Sequence, residues 1–504
     1  MFDRLSFLFS SILILALAGV AAVVVLAQYC KKKLFDKHAT PLPPGPPASW
    51  FWESAMPSNN VVNTITQWVQ EYGPVVSVRQ GNQVSVIIGN LEAANEIMEK
   101  EGVALVDRPH AIAAVEMFSQ NMRLVLIRAG SRFRRFRKAA HLQLQPKAVE
   151  AYRDIQIEDA KQLVCDILKA PERHQEHVKR FSNSVILRIT YGKSTPTADT
   201  DPEVIGMNHV LERFGFVMRP GAYLVDRIPL LRYVPLYGRQ LKTSFRTEHE
   251  LGLGQMERVK NEIARGIAGP SFMRTLIERQ HEHQLSRDEM SFLGGTLFGA
   301  AVDNTAAAIT TAILAAACHP DAQRCVQEQL DTIVGRERAP LFEDIEQLTQ
   351  LQAFMHESLR WRPVIPLGFP HRATRNIIWR GLRIPAGATV YGCHWTISHD
   401  ETAFPDPEKF DPQRWVERDG QIRSDLKSFP FGFGRRVCPG RHLASDSVLI
   451  TLAYLFWAFR ISEVQDAPID RWAFEDSLIA HAKPFYVMFN PRLDVGHLEL
   501  MKHS

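Results

Sequence analysis

Cysteine is scarce in this chain: six in 504 residues, with no Cys-x-x-Cys pair and no short disulfide framework. Such usage excludes a disulfide scaffold and suits a reducing compartment, so the expected setting is the cytosolic side of the cell. Charge of one sign is scarce too. A formal net charge of +4 gives no support to nucleic-acid binding at this length. There is no Gly-x-Ser-x-Gly nucleophile elbow and no phosphate-binding loop. Gly432-Phe433-Gly434 begins like a dinucleotide fingerprint, but Val437 stands where the third glycine belongs. His174-Gln175-Glu176-His177 and His281-Glu282-His283 lack the i, i+4 spacing of helical metal ligands and lie among polar residues, so these histidines are expected at the surface. No internal repeat or low-complexity tract occurs.

What the chain does have is a 45% hydrophobic content, enough to bury a sizeable core. Leu5 to Ala27 carries no charge. At about 1.5 Å per helical residue it spans roughly 34 Å, against about 30 Å of bilayer hydrocarbon. Lys31, Lys32, Lys33 and Lys37 follow it, whereas Asp3 and Arg4 precede it, so the positive-inside bias puts the body of the protein in the cytosol. The apolar region of a cleaved signal peptide is shorter, about 7 to 15 residues, which favours an uncleaved anchor. Pro41-Leu42-Pro43-Pro44-Gly45-Pro46-Pro47 cannot continue a helix and forms a stiff extended spacer. The expected organisation is a transmembrane anchor over 5–27, a basic and proline-rich linker over 28–47, and a catalytic domain over 48–504.

Strand signals cluster early. Val75 to Val78 and Val84 to Ile88 flank Gly81-Asn82 as the arms of a hairpin would. Arg153 to Leu168, Gln255 to Arg265 and Asp321 to Val334 have helical periodicity, and Met290 to Ala317 is a long apolar helical stretch. The fold class is mainly α with small β-sheets.

The most informative residue is Cys438, in Phe431-Gly432-Phe433-Gly434-Arg435-Arg436-Val437-Cys438-Pro439-Gly440. Glycines let such a loop turn and bring its amides close to sulfur, and Pro439 suits the first turn of a helix carrying the apolar run Leu443 to Phe459. Amides and a helix N-terminus both favour a thiolate, the form that ligates a metal. Phe431, Gly434, Arg436, Cys438 and Gly440 match Phe-x-x-Gly-x-Arg-x-Cys-x-Gly, so the stretch resembles the haem-binding loop of the cytochrome P450 family. The resemblance runs from Pro43 to about Leu493. It implies the P450 fold, haem b with Cys438 as axial iron ligand, and activation of O2, because a thiolate donor favours O–O cleavage.

Further segments fall in the order this family requires. Glu357 and Arg360 lie one helical turn apart, and Arg414 follows within Pro407 to Trp415; the resemblance makes these three a structural triad behind the haem loop. Arg137, in the FRRFRK run Phe133 to Lys138, and Arg372, after His371, resemble contacts to the haem carboxylates, as does Arg436; Phe133 replaces the usual tryptophan and lacks its indole N–H. Arg132, Arg134, Arg135 and Lys138 are expected outside, as a basic surface for an acidic electron donor. Phe298 to Thr305 resembles the oxygen-binding helix. Asp303 keeps its acidic position, Ala301 replaces glycine and Asn304 replaces the first threonine. Asp303 and Asn304 are therefore the expected proton-handling residues.

The implied function is a monooxygenase similar to fungal microsomal P450s of natural-product biosynthesis. It is held at the endoplasmic reticulum membrane and supplied with electrons by NADPH-cytochrome P450 reductase, with cytochrome b5 as a possible second donor. The candidate pocket segments Ala111 to Met122, Phe214 to Tyr223, Leu297 to Asp303, Val364 to Leu367 and Ser477 to Ala482 are mostly apolar, which suits a terpenoid, polyketide or aromatic substrate. Two alternatives stay open: a P450-like isomerase or dehydratase that consumes no O2, and a non-catalytic haem-binding membrane protein.

Overall fold

A computed structural model describes residue 19 and residues 40–47, 56–57, 59–80, 83–426 and 429–500. Apart from Gly19, the expected anchor Leu5 to Ala27 lies outside them. The longer helices are α1 (Val61–Tyr72), α2 (Ser131–Leu144), α3 (Arg153–Lys169), α4 (His174–Tyr191), α5 (Pro202–Val217), α6 (Arg239–Ala264), α7 (Arg287–Cys318), α8 (Pro320–Ile333), α9 (Thr349–Trp361) and α10 (Arg441–Ala458). The strands are short: β1 (Val75–Gln80), β2 (Gln83–Ile88), β3 (His371–Arg372), β4 (Ile377–Trp379), β5 (Leu382–Ile384), β6 (Thr389–Gly392), β7 (Phe459–Glu463) and β8 (Val487–Pro491). They form one four-stranded sheet, ordered β1-β2-β6-β3, and two two-stranded sheets. The mainly helical expectation holds, and β1 and β2 pair antiparallel as the hairpin reading required.

The organising element is α7. Ser286 caps it by accepting from the Glu289 N–H at 3.1 Å, while the Ser286 N–H donates back to Glu289 Oε2 at 3.1 Å, a reciprocal capping box. From Thr305 to Cys318 every residue is buried. Among the described residues this is the one helix long and apolar enough to cross a membrane, and its burial marks it instead as the core of the fold. Glycines let neighbours approach: a Cβ on Gly294 would stand 2.6 Å from the Met273 Cε, and one on Gly252 of α6 would stand 2.6 Å from Ser291 Oγ. Tight packing, rather than a ligand, explains those two positions.

Several expectations need correction. The helix carrying the Leu443 run starts at Arg441 behind a Gly440 cap, so Pro439 precedes it rather than sitting in its first turn, and Phe459 opens a strand. Gln255 to Arg265 is the end of a longer helix, whose first half is hidden in the sequence by its charges and its two glycines. The proline-rich stretch is more than a spacer. Ser77 donates from its N–H to the Pro44 carbonyl at 2.8 Å and from its hydroxyl to that of Pro43 at 2.6 Å, so the folded unit begins ahead of residue 48. His174 and His283 are buried rather than at the surface. His283 accepts from the Leu285 N–H at Nδ1 and bonds the Leu276 carbonyl through Nε2, a polar fit to local backbone that no spacing rule reveals.

Candidate active site

The Cys438 loop closes on itself before it meets anything else. The Cys438 N–H donates to the Phe431 carbonyl at 2.8 Å, and the Gly434 N–H donates to Glu99 Oε1 at 2.9 Å. Gly432 and Gly434 adopt φ of 80° and 49°, the left-handed region that favours glycine. Gly440 does not: its φ is −90°, and what its small size provides is an approach to sulfur, since a Cβ there would lie 3.9 Å from Cys438 Sγ. Burial pushes the Cys438 thiol up, while the Gly440 N–H and the charges of Arg137 and Arg441 pull it down.

Beside the loop lies a cluster of buried cations. Arg436 donates to the carbonyls of Val106 and Ile127 at 2.6 and 2.7 Å and lies over the Phe133 ring at 3.6 Å, leaving Nη1 buried and without a partner. Phe133 thus packs on an arginine, a contact the sequence did not indicate. Arg108, which no sequence pattern indicated, donates to the carbonyls of Val125, Phe369 and Pro370. Burial and the charge of Arg436 push Arg108 down to about 9, and burial pushes Arg436 down to about 10. His371 feels both arginines and is held well below its ordinary value by burial, with Nδ1 2.7 Å from the Leu105 carbonyl. Neighbouring buried cations and an orphaned guanidinium N–H fit an anionic group such as a haem carboxylate. The expected Arg372 is engaged elsewhere, with Asp107 at 3.3 Å, a carboxylate that also takes Arg128 at 2.9 Å. Burial pushes Arg137 down, and the Cys438 sulfur pulls it back up. Of the four residues expected to form a basic surface, Arg132 and Arg135 are both paired with Glu289, at 3.0 and 3.1 Å, so that patch is partly neutralised.

Glu357, Arg360 and Arg414 come together in one buried network. Arg360 grips both oxygens of Glu357 at 2.8 Å, both side chains 0% exposed, and Arg414 Nε reaches Oε1 at 3.1 Å. The Trp415 indole N–H and the Asp411 backbone N–H complete the shell at 2.8 Å each. Arg360 also donates to the Ser398 carbonyl at 2.9 Å, tying α9 to the segment after β6.

On α7, every residue from Glu289 to Cys318 is buried except Leu297, Ala300, Ala301, Asp303 and Asn304. The core helix is thus accessible at one place, through Leu297, two alanines and two polar residues. Asn304 Nδ2 donates to the Ala300 carbonyl at 2.7 Å, one turn back, and Oδ1 is buried without a partner. Burial pushes the Asp303 carboxyl up. Phe118 stacks on Phe214 at 5.9 Å, so two of the candidate pocket segments do meet, and Ala480 donates to the Val364 carbonyl at 2.9 Å, joining two more.

The family model for Cytochrome P450 matches residues 43–489. Cytochrome P450 monooxygenase 64 of Postia placenta is 44% identical over 452 residues, covering 90% of this chain and 91% of its own. Cytochrome P450 monooxygenase 113 of the same fungus is 44% identical over 455 residues, with 90% and 92% covered. A cytochrome P450 monooxygenase of Armillaria gallica is 32% identical over 446 residues, covering 85% of each chain. With the cysteine loop, the Glu357 triad and the opening in α7 all in place, the chain belongs to the cytochrome P450 family, monooxygenases that hold haem b on a cysteine thiolate.

Proposed function

We propose that Cys438 is the axial thiolate and that the protein oxidises an apolar organic substrate with O2, using electrons from NADPH through a separate reductase. The observation that carries this reading is the local opening of α7 at Leu297, Ala300, Ala301, Asp303 and Asn304, in a helix otherwise buried from Glu289 to Cys318. Haem held by Cys438 supplies oxygen activation there. Arg436, Arg108, His371 and Arg137 are the groups suited to its carboxylates. Because burial alone disfavours the Cys438 anion, the metal itself supplies what the Gly440 amide and the two nearby arginines do not.

Asp303 brings a proton to the opening, and Asn304 orders the water that receives it. The Asn304 bond to Ala300 is the same turn-back contact that a threonine hydroxyl makes in a helix, and it leaves Oδ1 as a free acceptor. That favours ordinary oxygenation over isomerisation or dehydration. Apolar walls from Ile112 to Phe118 and at Val364 suit a terpenoid, polyketide or aromatic skeleton. Membrane attachment, through residues 5–27 and with the catalytic domain facing the cytosol at the endoplasmic reticulum, has support from the connection between α5 and α6. Leu230, Tyr233 and Leu236 there are 74%, 73% and 79% exposed, an apolar surface suited to a lipid face.

The test is spectral and catalytic. Reduced protein with carbon monoxide should show the red-shifted Soret band of a thiolate ligand, and Cys438→Ala should lose both that band and O2-dependent, NADPH-dependent turnover with reductase. Retention of both by the variant removes Cys438 from the site.

A further inference from the structure

Where the segment Ile112–Phe118, the connection between α5 and α6, and α6 itself meet, they enclose a cleft of about 360 Å³. Buried Met117 and Phe245 line its inner side, and Phe245 stacks on Phe292 of α7 at 5.3 Å, which ties that side to the core. A Cβ on Gly238 would collide with the Met117 methyl, so the start of α6 approaches the segment closely. The outer side is cationic: Arg232, Lys242 and Arg246, with Gln120 and Tyr233 beside them.

The cleft holds one acid, Glu116, and it is already engaged: Arg232 Nη1 reaches it at 2.9 Å and His110 Nε2 at 2.8 Å. Arg232 Nε stays buried without a partner. Lys242 and Arg246 lie one turn apart on α6, both exposed, and among the described residues neither has an acidic partner. From Arg219 to Arg246 the chain carries six arginines and lysines against a single acid, Asp226, whereas the whole chain carries 59 against 55. The excess of positive charge is therefore local. It borders the exposed apolar side chains of Leu230, Tyr233 and Leu236, and Tyr233 belongs to both surfaces, with its ring 5.1 Å from the Arg232 guanidinium.

We propose that this cleft binds the headgroup of an anionic phospholipid, its phosphate held by Lys242, Arg246 and the free Nε of Arg232, while Leu230, Tyr233 and Leu236 enter the acyl layer. The inference rests on the membrane reading above and names the lipid class that the second membrane contact selects. Cations beside protruding apolar side chains match an interface where phosphate lies above hydrocarbon. An acidic protein would match the charge but offers no hydrocarbon to receive those side chains. A neutral lipid would receive the side chains but leave the cations without an excess of negative charge. Because Arg232 also holds Glu116, a headgroup in the cleft is linked through one side chain to Ile112–Phe118, a wall of the candidate pocket.

The test uses full-chain holoenzyme in lipid nanodiscs of phosphatidylcholine, alone or with about 25% phosphatidylserine, and follows backbone hydrogen exchange over residues 114–120 and 230–246. Phosphatidylserine should slow exchange there roughly fivefold. Lys242→Glu combined with Arg246→Glu, checked for an intact carbon monoxide band, should abolish that difference; a difference that survives places the headgroup elsewhere and overturns the proposal. Inorganic phosphate added to phosphatidylcholine discs should change nothing, and slowing as large as with phosphatidylserine makes the cleft a site for free anions instead. Slowing that appears in phosphatidylcholine discs only when reductase is added assigns the cleft to an acidic protein, and that too overturns it. A photoreactive acyl chain in both discs separates this inference from the membrane reading. Labelling of Leu230 to Leu236 with equal exchange in the two discs keeps the lipid face and removes the headgroup site, whereas absence of labelling removes both.

Discussion

The side-chain amide of Asn304 donates to the backbone carbonyl of Ala300, 2.7 Å away in the preceding turn of the same helix, and keeps its own oxygen buried and unpartnered. An amide thus holds the place of the family threonine with its donor already committed. In Asn304→Ala the acceptor vanishes, so peroxide release should rise and product per NADPH should fall. Asn304→Thr should be milder, because a hydroxyl can make the same contact to Ala300 and still accept a bond. Product, peroxide and NADPH measured in one assay decide it: unchanged coupling in Asn304→Ala removes the residue from the mechanism, and product without O2 favours an isomerase or dehydratase.

Glu357 gathers two arginines, an indole and a backbone amide around one fully buried carboxylate. Arg414→Ala leaves Glu357 short of one cation, and Glu357→Ala leaves Arg360 buried without its anion. Loss of one partner in such a network costs about 3 to 5 kcal/mol. Chemical denaturation of the haem-loaded protein should show losses of that size, with haem release at lower denaturant than in the unaltered chain. A variant that loses turnover without losing stability would assign Glu357 a role in chemistry instead.

Arg123 and Glu248 form a second buried pair. Arg123 Nη2 and Glu248 Oε2 are 2.5 Å apart, with side chains 3% and 1% exposed, and the Arg123 guanidinium lies over Phe214 at 4.6 Å. Burial pushes the Glu248 carboxyl up, and Arg123 pulls it down. In Arg123→Met only the upward push remains. A folded-state value raised above the unfolded one contributes stability that is present at low pH and lost as pH rises through it. The variant should therefore fall further behind the unaltered protein as pH rises above the ordinary carboxylate range. Thermal unfolding followed across that rise tests this, and a deficit that shrinks with rising pH contradicts it.

The membrane reading is tested by truncation. Arg383 Nε donates to the Thr40 carbonyl at 3.2 Å and its N–H to that of Pro41 at 2.7 Å, so the cut belongs before Thr40. Deleting residues 1–37 should release much of the protein from membranes with its carbon monoxide band intact. Carbonate-resistant attachment of the shortened chain would mean that residues 1–37 are not the sole anchor.

Local pattern was enough for a good part of this protein. Apolar periodicity marks α3, α7 and α8, and β-branched runs around a turn mark the β1–β2 hairpin, because helix and strand each impose a repeat on which side chains meet the core. The spacing of Phe431, Gly434, Arg436, Cys438 and Gly440, and of Glu357 with Arg360, is legible for the same reason: those residues act within one loop or one helical turn. Tertiary structure alone decided the rest. Arg108 and His371 join Arg436 across 328 and 65 residues of chain, and the isolated Arg-Pro dipeptide that contains Arg108 carries no signal of where its charge ends up. The commitment of Arg372 to Asp107 and the neutralisation of Arg132 and Arg135 by Glu289 are likewise set by how distant segments pack. A charge declares its type in sequence, but its partner, and with it the energetic meaning of its burial, exists only once distant segments are brought together.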